Sequence, residues 1–325
     1  MIIEGKKEVL EVLGMPEAQF EEEVAPEAAK LRDDRKDGSL LAMAMLGYDN
    51  VCKNQCLYCG MRASNSGVKR YRLAPEDVIA SARMASENGF RHIFLVSGED
   101  PKYGFDNLLH IVEAIHEMGM HQSLACGEYS PEQYRELKSA GAEEYVMKFE
   151  MSDEETFNRL NPSTNFKKRM SAIESVKASG MKLASGNIVG FPGQSCDQLA
   201  EDILLMKKLE ISWAPVIPYM PAQNTPLAAE GGVGDLLTNR KEIALLRLMM
   251  PDVNITAQQP GKDLRNGLAD PQGNRDAILS GANVLFCDLL PDALAKNFRV
   301  IDNRNVSGTE HLYQIAELTG LALSF

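Results

Sequence analysis

The sequence predicts an α/β fold: a (βα)8 barrel of TIM type over residues 40–325, behind a short N-terminal helical cap over residues 1–39. Three observations predict it. Apolar runs of strand length alternate with segments of helical spacing from Gly38 onward. About eight such units follow one another with no switch to paired strands, which implies a parallel sheet with helices outside. The chain has 325 residues, a length that α/β barrels accommodate as one domain. A doubly wound open sheet is the alternative arrangement of the same units.

The elements follow in order. Residues 5–38 are polar and Glu-rich, with helical spacing around Val9, Leu10, Val12 and Leu13. The run 40–46 is the first strand. Pro75 opens a helix over 76–88 that Gly89 ends. The β-rich run 92–97 is a strand, 107–118 a helix, 122–126 a strand, 131–140 a helix and 144–149 a strand. The alternation continues with a helix at 168–179, a strand at 182–189 and a helix at 196–209. A strand at 213–218, a helix at 239–250, a strand at 253–257, a short helix at 276–280, an apolar run at 283–287 and a helix at 310–318 complete it. In a barrel the loops after the strands carry chemistry. The longest is 48–73.

Composition narrows the function. Apolar residues make up 44% and charged residues 25%, as in soluble globular proteins and unlike disordered chains. Lys+Arg is 34 and Asp+Glu is 46, a net charge of −12. Such a chain is poorly suited to a nucleic-acid backbone or an anionic membrane. No run of about 18 apolar residues suggests a transmembrane helix. The N-terminus lacks a secretory pattern, so a cytoplasmic protein with reduced cysteines is expected.

Three of the six cysteines, Cys52, Cys56 and Cys59, share the 48–73 loop with spacing C-x3-C-x2-C. Three thiolates on one short loop can converge on a metal centre. Iron–sulfur clusters take cysteine thiolates, usually four. With three, one iron keeps an open position. A structural zinc site is the alternative, but zinc wants a fourth Cys or His, and no His precedes His92. Cys126, at the predicted end of strand three, is a candidate for facing the cavity as a hydrogen donor or ligand. A small buried apolar role is its other reading, and the one expected for Cys196 and Cys287. None of the five histidines forms a metal or nucleophile pair.

The cysteine spacing, with Tyr58 before the third thiol, resembles the radical S-adenosylmethionine (SAM) superfamily. The resemblance runs from about Leu41 to Leu290 and is nearest to the HydE/PylB-like subgroup, which contains FeFe-hydrogenase maturases and methylornithine synthases. It implies that Cys52, Cys56 and Cys59 bind a 4Fe–4S cluster, that SAM chelates the open iron, and that reductive cleavage yields a 5′-deoxyadenosyl radical. It further implies SAM contacts in this chain. The segment Leu95–Pro101, with Ser97, Gly98 and Glu99, resembles the site for the SAM amino group. Glu150 and Arg169 resemble contacts to ribose and carboxylate. The segment Ser185–Gln194, with Asn187 and Val189, resembles the turn beside the adenosyl moiety. Tyr58 is expected near the adenine. A small substrate in the barrel and an electron donor such as flavodoxin or ferredoxin are implied partners.

The chain departs from both patterns of the subgroup. Ala214-Pro215-Val216 and Gln258-Gln259-Pro260 stand where the mutase pattern has Arg and Asp, which makes lysine a poor substrate. Gln258 and Gln259 could bond another polar ligand. Lys148 replaces an Arg of the HydE-type pattern, and Lys is not an equivalent fork. A second cysteine cluster is not supported, which weighs against sulfur insertion of the biotin synthase kind. The readings are therefore a HydE-like enzyme, a PylB-like mutase or a paralogue with another substrate. An iron–sulfur scaffold or sensor without turnover and a zinc-dependent barrel hydrolase are rivals of other classes.

Overall fold

The computed structural model describes residues 2–304 and 308–325. The Glu-rich N-terminus forms α1 (Lys6–Gly14), a single turn α2 (Glu17–Gln19), a π-helical turn over Phe20–Val24 and α3 (Ala25–Arg35). These segments lie on the barrel wall. Val9, Val12 and Leu13 of α1 are buried. Lys241 Nζ donates to Leu13 O at 2.9 Å and Arg32 donates to Ile278 O, so two buried cations tie the cap to later helices.

The barrel begins with β1 (Ser39–Asp49), α4 (Pro75–Glu87), β2 (His92–Ser97), α5 (Phe105–Glu117), β3 (His121–Ala125) and α6 (Pro131–Ser139). It continues with β4 (Glu144–Val146), α7 (Glu154–Leu160), α8 (Phe166–Ala178), β5 (Lys182–Ala184), β6 (Ile188–Val189) and α9 (Cys196–Leu209). Then come β7 (Trp213–Ala214), β8 (Ile217–Pro218), α10 (Leu236–Met249), β9 (Asn254–Ile255), α11 (Pro271–Leu279), β10 (Val284–Asp288), α12 (Asp292–Ala295), α13 (Thr309–Thr319) and β11 (Ala322–Ser324).

Strand order is β10-β1-β2-β3-β4-β5-β7-β9, with β11 beside β1. All pairings are parallel. The ends of this path meet. Thr256 bridges Val284, Ala257 N donates to Val284 O at 2.8 Å, and Asn283 N donates to Ile255 O at 3.0 Å. The sheet is therefore a closed ring of eight strands, which decides against the open doubly wound alternative. No helix among the described residues is long and apolar enough to cross a membrane.

Pleating sorts the side chains of β1. Leu41, Met43 and Met45 face the barrel axis and pack with Phe94, Val146, Ala184, Trp213, Val284 and Phe286. Leu40, Ala42, Ala44, Leu46 and Tyr48 face the helices. Phe94 meets Trp213 edge-on at 5.0 Å, and the indole N–H donates to Thr256 Oγ1 at 3.0 Å. This plug fills the lower barrel and leaves polar chemistry to the C-terminal mouth.

Two expected strands are each split. Residues 182–189 break at Ser185, whose hydroxyl replaces a ladder bond by donating to Met147 O at 2.7 Å. Residues 213–218 break at Pro215, which has no N–H for the ladder. The freed ends β6 and β8 pair separately above the ring. The stretch between the expected strand at 144–149 and helix at 168–179, where the sequence predicts no element, contains α7, capped by Asp153 Oδ1 accepting from Thr156 N at 2.8 Å.

Candidate functional site

The loop after β1 is laced by its own polar groups. Asn50 is fully buried, donates to Lys69 O and Asn297 O, and accepts from Tyr71 N at 2.7 Å. Arg70 donates to Asn50 O (2.7 Å), Met61 O (2.8 Å), Arg62 O (2.7 Å) and Asn65 O (3.3 Å). One guanidinium thus gathers carbonyls from both sides of the cysteines. Gly60 N donates to Val300 O at 2.9 Å, and a Cβ on Gly60 would lie 2.2 Å from Arg299 O. Leu57 is clamped between Leu160 O and Leu227 N.

Cys52, Cys56 and Cys59 are free and half-buried at this mouth. Burial raises the Cys52 thiol. Burial, then the proximity of Cys52 and Glu150, pushes Cys56 up to about 12, with Arg169 opposing. Burial and then Cys56 raise Cys59 further still. The three sulfurs therefore influence one another, with Glu150 beside Cys56 and Cys59, Arg169 beside Cys56, and Glu99 and Arg70 beside Cys52. A bound metal centre would reverse this, because cationic metals hold their thiol ligands deprotonated. Among the described residues no three His, Cys, Asp or Glu side chains gather tightly enough for a single metal ion. A polynuclear cluster instead takes its thiolates at separate corners, and the triad suits that better than a lone zinc.

The rim around the thiols is assembled from several strand ends. Gly98 N donates to Asp49 O at 2.8 Å, and a Cβ on Gly98 would lie 2.1 Å from Val51 O. Only glycine lets β2 come this close to the cysteine loop. Ser97 Oγ donates to Gly98 O at 2.9 Å. Glu99 N approaches Cys52 Sγ at 3.4 Å, while its carboxylate accepts from Asn54 Nδ2 at 2.8 Å and pairs with Lys53 at 2.7 Å. Glu150 follows β4 with φ of 63°, in the left-handed region, and pairs with Lys148 at 3.2 Å. Arg169 donates from Nε to Glu128 Oε1 at 2.8 Å and also to Lys148 O, and lies 5.5 Å from the Phe157 ring. Tyr58 donates to Asn161 Oδ1 at 2.7 Å and, with Leu57, packs on Met151, Phe157, Leu160 and Ile188.

Other expected residues sit differently. The Asn187 side chain turns into the helix layer, where Nδ2 donates to Asp202 Oδ2 at 3.3 Å. Only its backbone edges the mouth, bridged to Glu150. Val189 O accepts from Tyr219 N at 2.7 Å. Cys126 does not face the cavity. Ala125 packs on the axial plug, so pleating sends the Cys126 thiol outward into the strand–helix core, 3.8 Å from Leu95 O. Gln258 and Gln259 are buried and bond to the protein's own groups. Gln258 exchanges two bonds with the Phe286 backbone and so continues the β9–β10 seam; Gln259 donates to Val216 O and Thr256 O. His92 and His121 stack at 5.0 Å beside a cavity of about 570 Å³, but at the opposite, N-terminal mouth.

Two residues were missed. Glu128 holds Arg169, and its signal was an acid directly after the strand-end Gly127. Asp202, inside α9, accepts from Ser152 N and Oγ, Asn187 Nδ2 and Gln194 Nε2. It joins the loops after β4 and β6. Nothing in the sequence sets it apart from other acids in helical patterns.

Comparison with known proteins decides the class. Residues 49–206 match the sequence profile of the Radical SAM superfamily. The [FeFe] hydrogenase maturase subunit HydE of Thermotoga maritima is 35% identical over 289 residues, 89% of this chain and 81% of that protein. The chain belongs to the radical SAM superfamily. It is a radical SAM enzyme, and the cofactors of that family are a 4Fe–4S cluster and SAM. The 3-methylornithine synthase of Methanosarcina barkeri is 26% identical over 274 residues, 82% of this chain and 74% of that protein. The crystal structure of methylornithine synthase (PylB) superposes with a TM-score of 0.86 at 22% identity, over 98% of this chain and 94% of that one. That likeness shows a common fold. Enzymes of the radical SAM superfamily act with a reductant, and the half-buried thiol triad at the C-terminal mouth suits their cluster.

Proposed function

We propose that this radical SAM enzyme is of the HydE-like type and acts on a small molecule in the assembly of an FeFe-hydrogenase metal centre. Cys52, Cys56 and Cys59 would hold the 4Fe–4S cluster, with SAM bound beside it. When bound and reduced, the cluster supplies the electron that cleaves SAM to methionine and a 5′-deoxyadenosyl radical. The observation that carries this reading is the thiol triad itself, gathered in one half-buried mouth with Glu150 and Arg169 beside its middle member, Cys56.

The chain's own residues bind and orient. Glu99 offers a carboxylate beside Cys52 for the SAM ammonium, exchanging Lys53 for the ligand. Ser97 and Gly98 shape that turn. Glu150, held in its left-handed conformation, offers acceptors to ribose hydroxyls. Arg169 pairs the SAM carboxylate from a position pre-set by Glu128. Tyr58 packs beside the adenine, and the backbone at Asn187 and Val189 borders the adenosyl group. The plugged barrel excludes water below. A flavodoxin or ferredoxin in the cytoplasm is the proposed electron donor. A PylB-like mutase is the weaker reading, because Gln258 and Gln259 are committed to the backbone and Ala214–Val216 offers no side-chain cation.

The test is anaerobic reconstitution with iron and sulfide, reduction, and chromatography of SAM products. Formation of 5′-deoxyadenosine that is lost in Cys56→Ala supports the reading. An iron-loaded protein that leaves SAM intact would make it a scaffold or sensor. A colourless, zinc-loaded protein would return the loop to a structural role.

A further inference from the structure

Behind the cofactor rim lies a buried polar knot with too few hydrogens. Glu242, on α10, is fully buried, and among the described residues neither carboxyl oxygen receives a hydrogen bond. Asn187 is also fully buried, and its Oδ1 has no donor. The Asn187 side chain lies within reach of Glu242, where its amide pulls the carboxyl down against the larger effect of burial. The Asn187 amide cannot simply turn round, because its Nδ2 is committed to Asp202. Asp202 accepts four hydrogen bonds in all, two from Ser152 and one each from Asn187 and Gln194. That is the environment of a carboxylate anion. Glu242 receives none, and an unpaired buried carboxylate is strongly unfavourable. A single proton on Glu242 would pair one of its oxygens with Asn187 Oδ1 and would remove the buried charge, leaving only the neutral carbonyl oxygen of the acid without a donor.

We propose that Glu242 is a positioning residue, held as a neutral carboxylic acid that donates its proton to Asn187 Oδ1. With Asp202 gripping the other end of the same amide, it locks the 186–190 turn against the helix layer. Asn187 is bridged to Glu150, so the lock reaches the rim. Burial and Asp202 favour the neutral acid and outweigh Asn187 and Lys148, which favour the carboxylate. Asp202 on α9 repels a second negative charge, Lys148 after β4 is the nearby cation that opposes it, and burial raises the Glu242 carboxyl to about 8, with Asp202 adding to the rise. On α10 itself, Lys241 is turned away to Leu13 O. The consequence for SAM rests on the reading that the backbone at 187–189 borders the cofactor.

The experiment uses the full chain. Infrared difference spectra with 13C-labelled glutamate should show the C=O stretch of a protonated, hydrogen-bonded carboxylic acid, shifted in D2O and absent in Glu242→Gln. SAM affinity of the reconstituted protein is then compared among variants. Glu242→Gln keeps an N–H donor and should bind SAM as wild type does. Glu242→Met keeps the length without a donor and should bind roughly tenfold more weakly, with cluster content unchanged. Absence of the band in wild type overturns the neutral acid. A band together with wild-type SAM affinity in Glu242→Met overturns the positioning role. Wild-type protein that binds no SAM overturns the cofactor reading instead, while the infrared band still tests the proton. If Glu242→Met does not fold, the wild-type and Glu242→Gln spectra remain decisive.

Discussion

Gly127 and Glu99 are fitted to one another: a Cβ built on Gly127 would lie 2.5 Å from Glu99 Cγ, and Gly127 has φ of +100°. The end of β3 thus leaves room for the carboxylate that the end of β2 projects over it. Glu99 also reaches the cysteine loop through Lys53 and Asn54. Gly127→Ala therefore meets backbone strain and a displaced Glu99 together. The expected outcome is SAM affinity lowered roughly tenfold or more, with iron content near wild type. Equilibrium binding of SAM to the reconstituted variant checks it, and unchanged affinity would remove Glu99 from the SAM site.

Arg70 makes the cysteine loop a preformed structure. It holds carbonyls of residues 50, 61, 62 and 65, and no neutral side chain could satisfy them together. Arg70→Met should cost on the order of 2 kcal/mol locally and loosen the cysteine geometry. The expected signature is slower cluster reconstitution and faster iron loss to a chelator, with far-UV circular dichroism unchanged. Arg70→Lys should rescue only part of this, because an ammonium lacks the planar fork.

Asp202 should matter to two loops at once. Its bonds to Ser152 and to Asn187 and Gln194 hold the segments after β4 and β6. Asp202→Ala removes four hydrogen bonds, one buried and three partly buried, and should lower stability by about 3 kcal/mol. Urea denaturation of the apoprotein measures this. Hydrogen exchange should quicken around Ser152 and Gly190 before it changes in β1.

The alternation of elements was legible because strand and helix periods differ, and β2 and α9 fall where the pattern puts them. A closed barrel followed from the count of about eight units, but the means of closure did not, since it depends on the bridge at Thr256 and on Gln258 imitating a strand. The split at Pro215 was written in the chain, but Ser185 replacing a ladder bond is a three-dimensional event. Within the site, the cysteine spacing announced itself because three thiols within eight residues have few other uses. Glu128, Asp202 and Glu242 carried no such signal. Each is one acid among 46 acidic residues, and only burial and partners distinguish it. Cys126 was ambiguous for a simpler reason: a one-residue shift in strand phase exchanges cavity for core.

The protonation of Glu242 makes stability depend on pH in an unusual direction. Its carboxyl is raised from 4.5 to about 8 by burial first and by Asp202 second. In the unfolded chain the group loses its proton near 4.5, but in the folded chain it keeps it. Between these values the folded state binds more protons than the unfolded state, so stability falls as pH rises. This contribution is fully present below about pH 4.5 and is lost progressively up to about pH 8, with a slope near 1.4 kcal/mol per pH unit for one proton. Most buried carboxylates that are salt-bridged act in the opposite sense. Glu242→Gln cannot titrate, so the difference in unfolding free energy between wild type and variant should change across pH 5–8 in favour of the variant. Urea titrations of both apoproteins over that range measure the difference directly. A difference independent of pH would mean that Glu242 is ionised in the folded protein, and Asn187 would then need another donor.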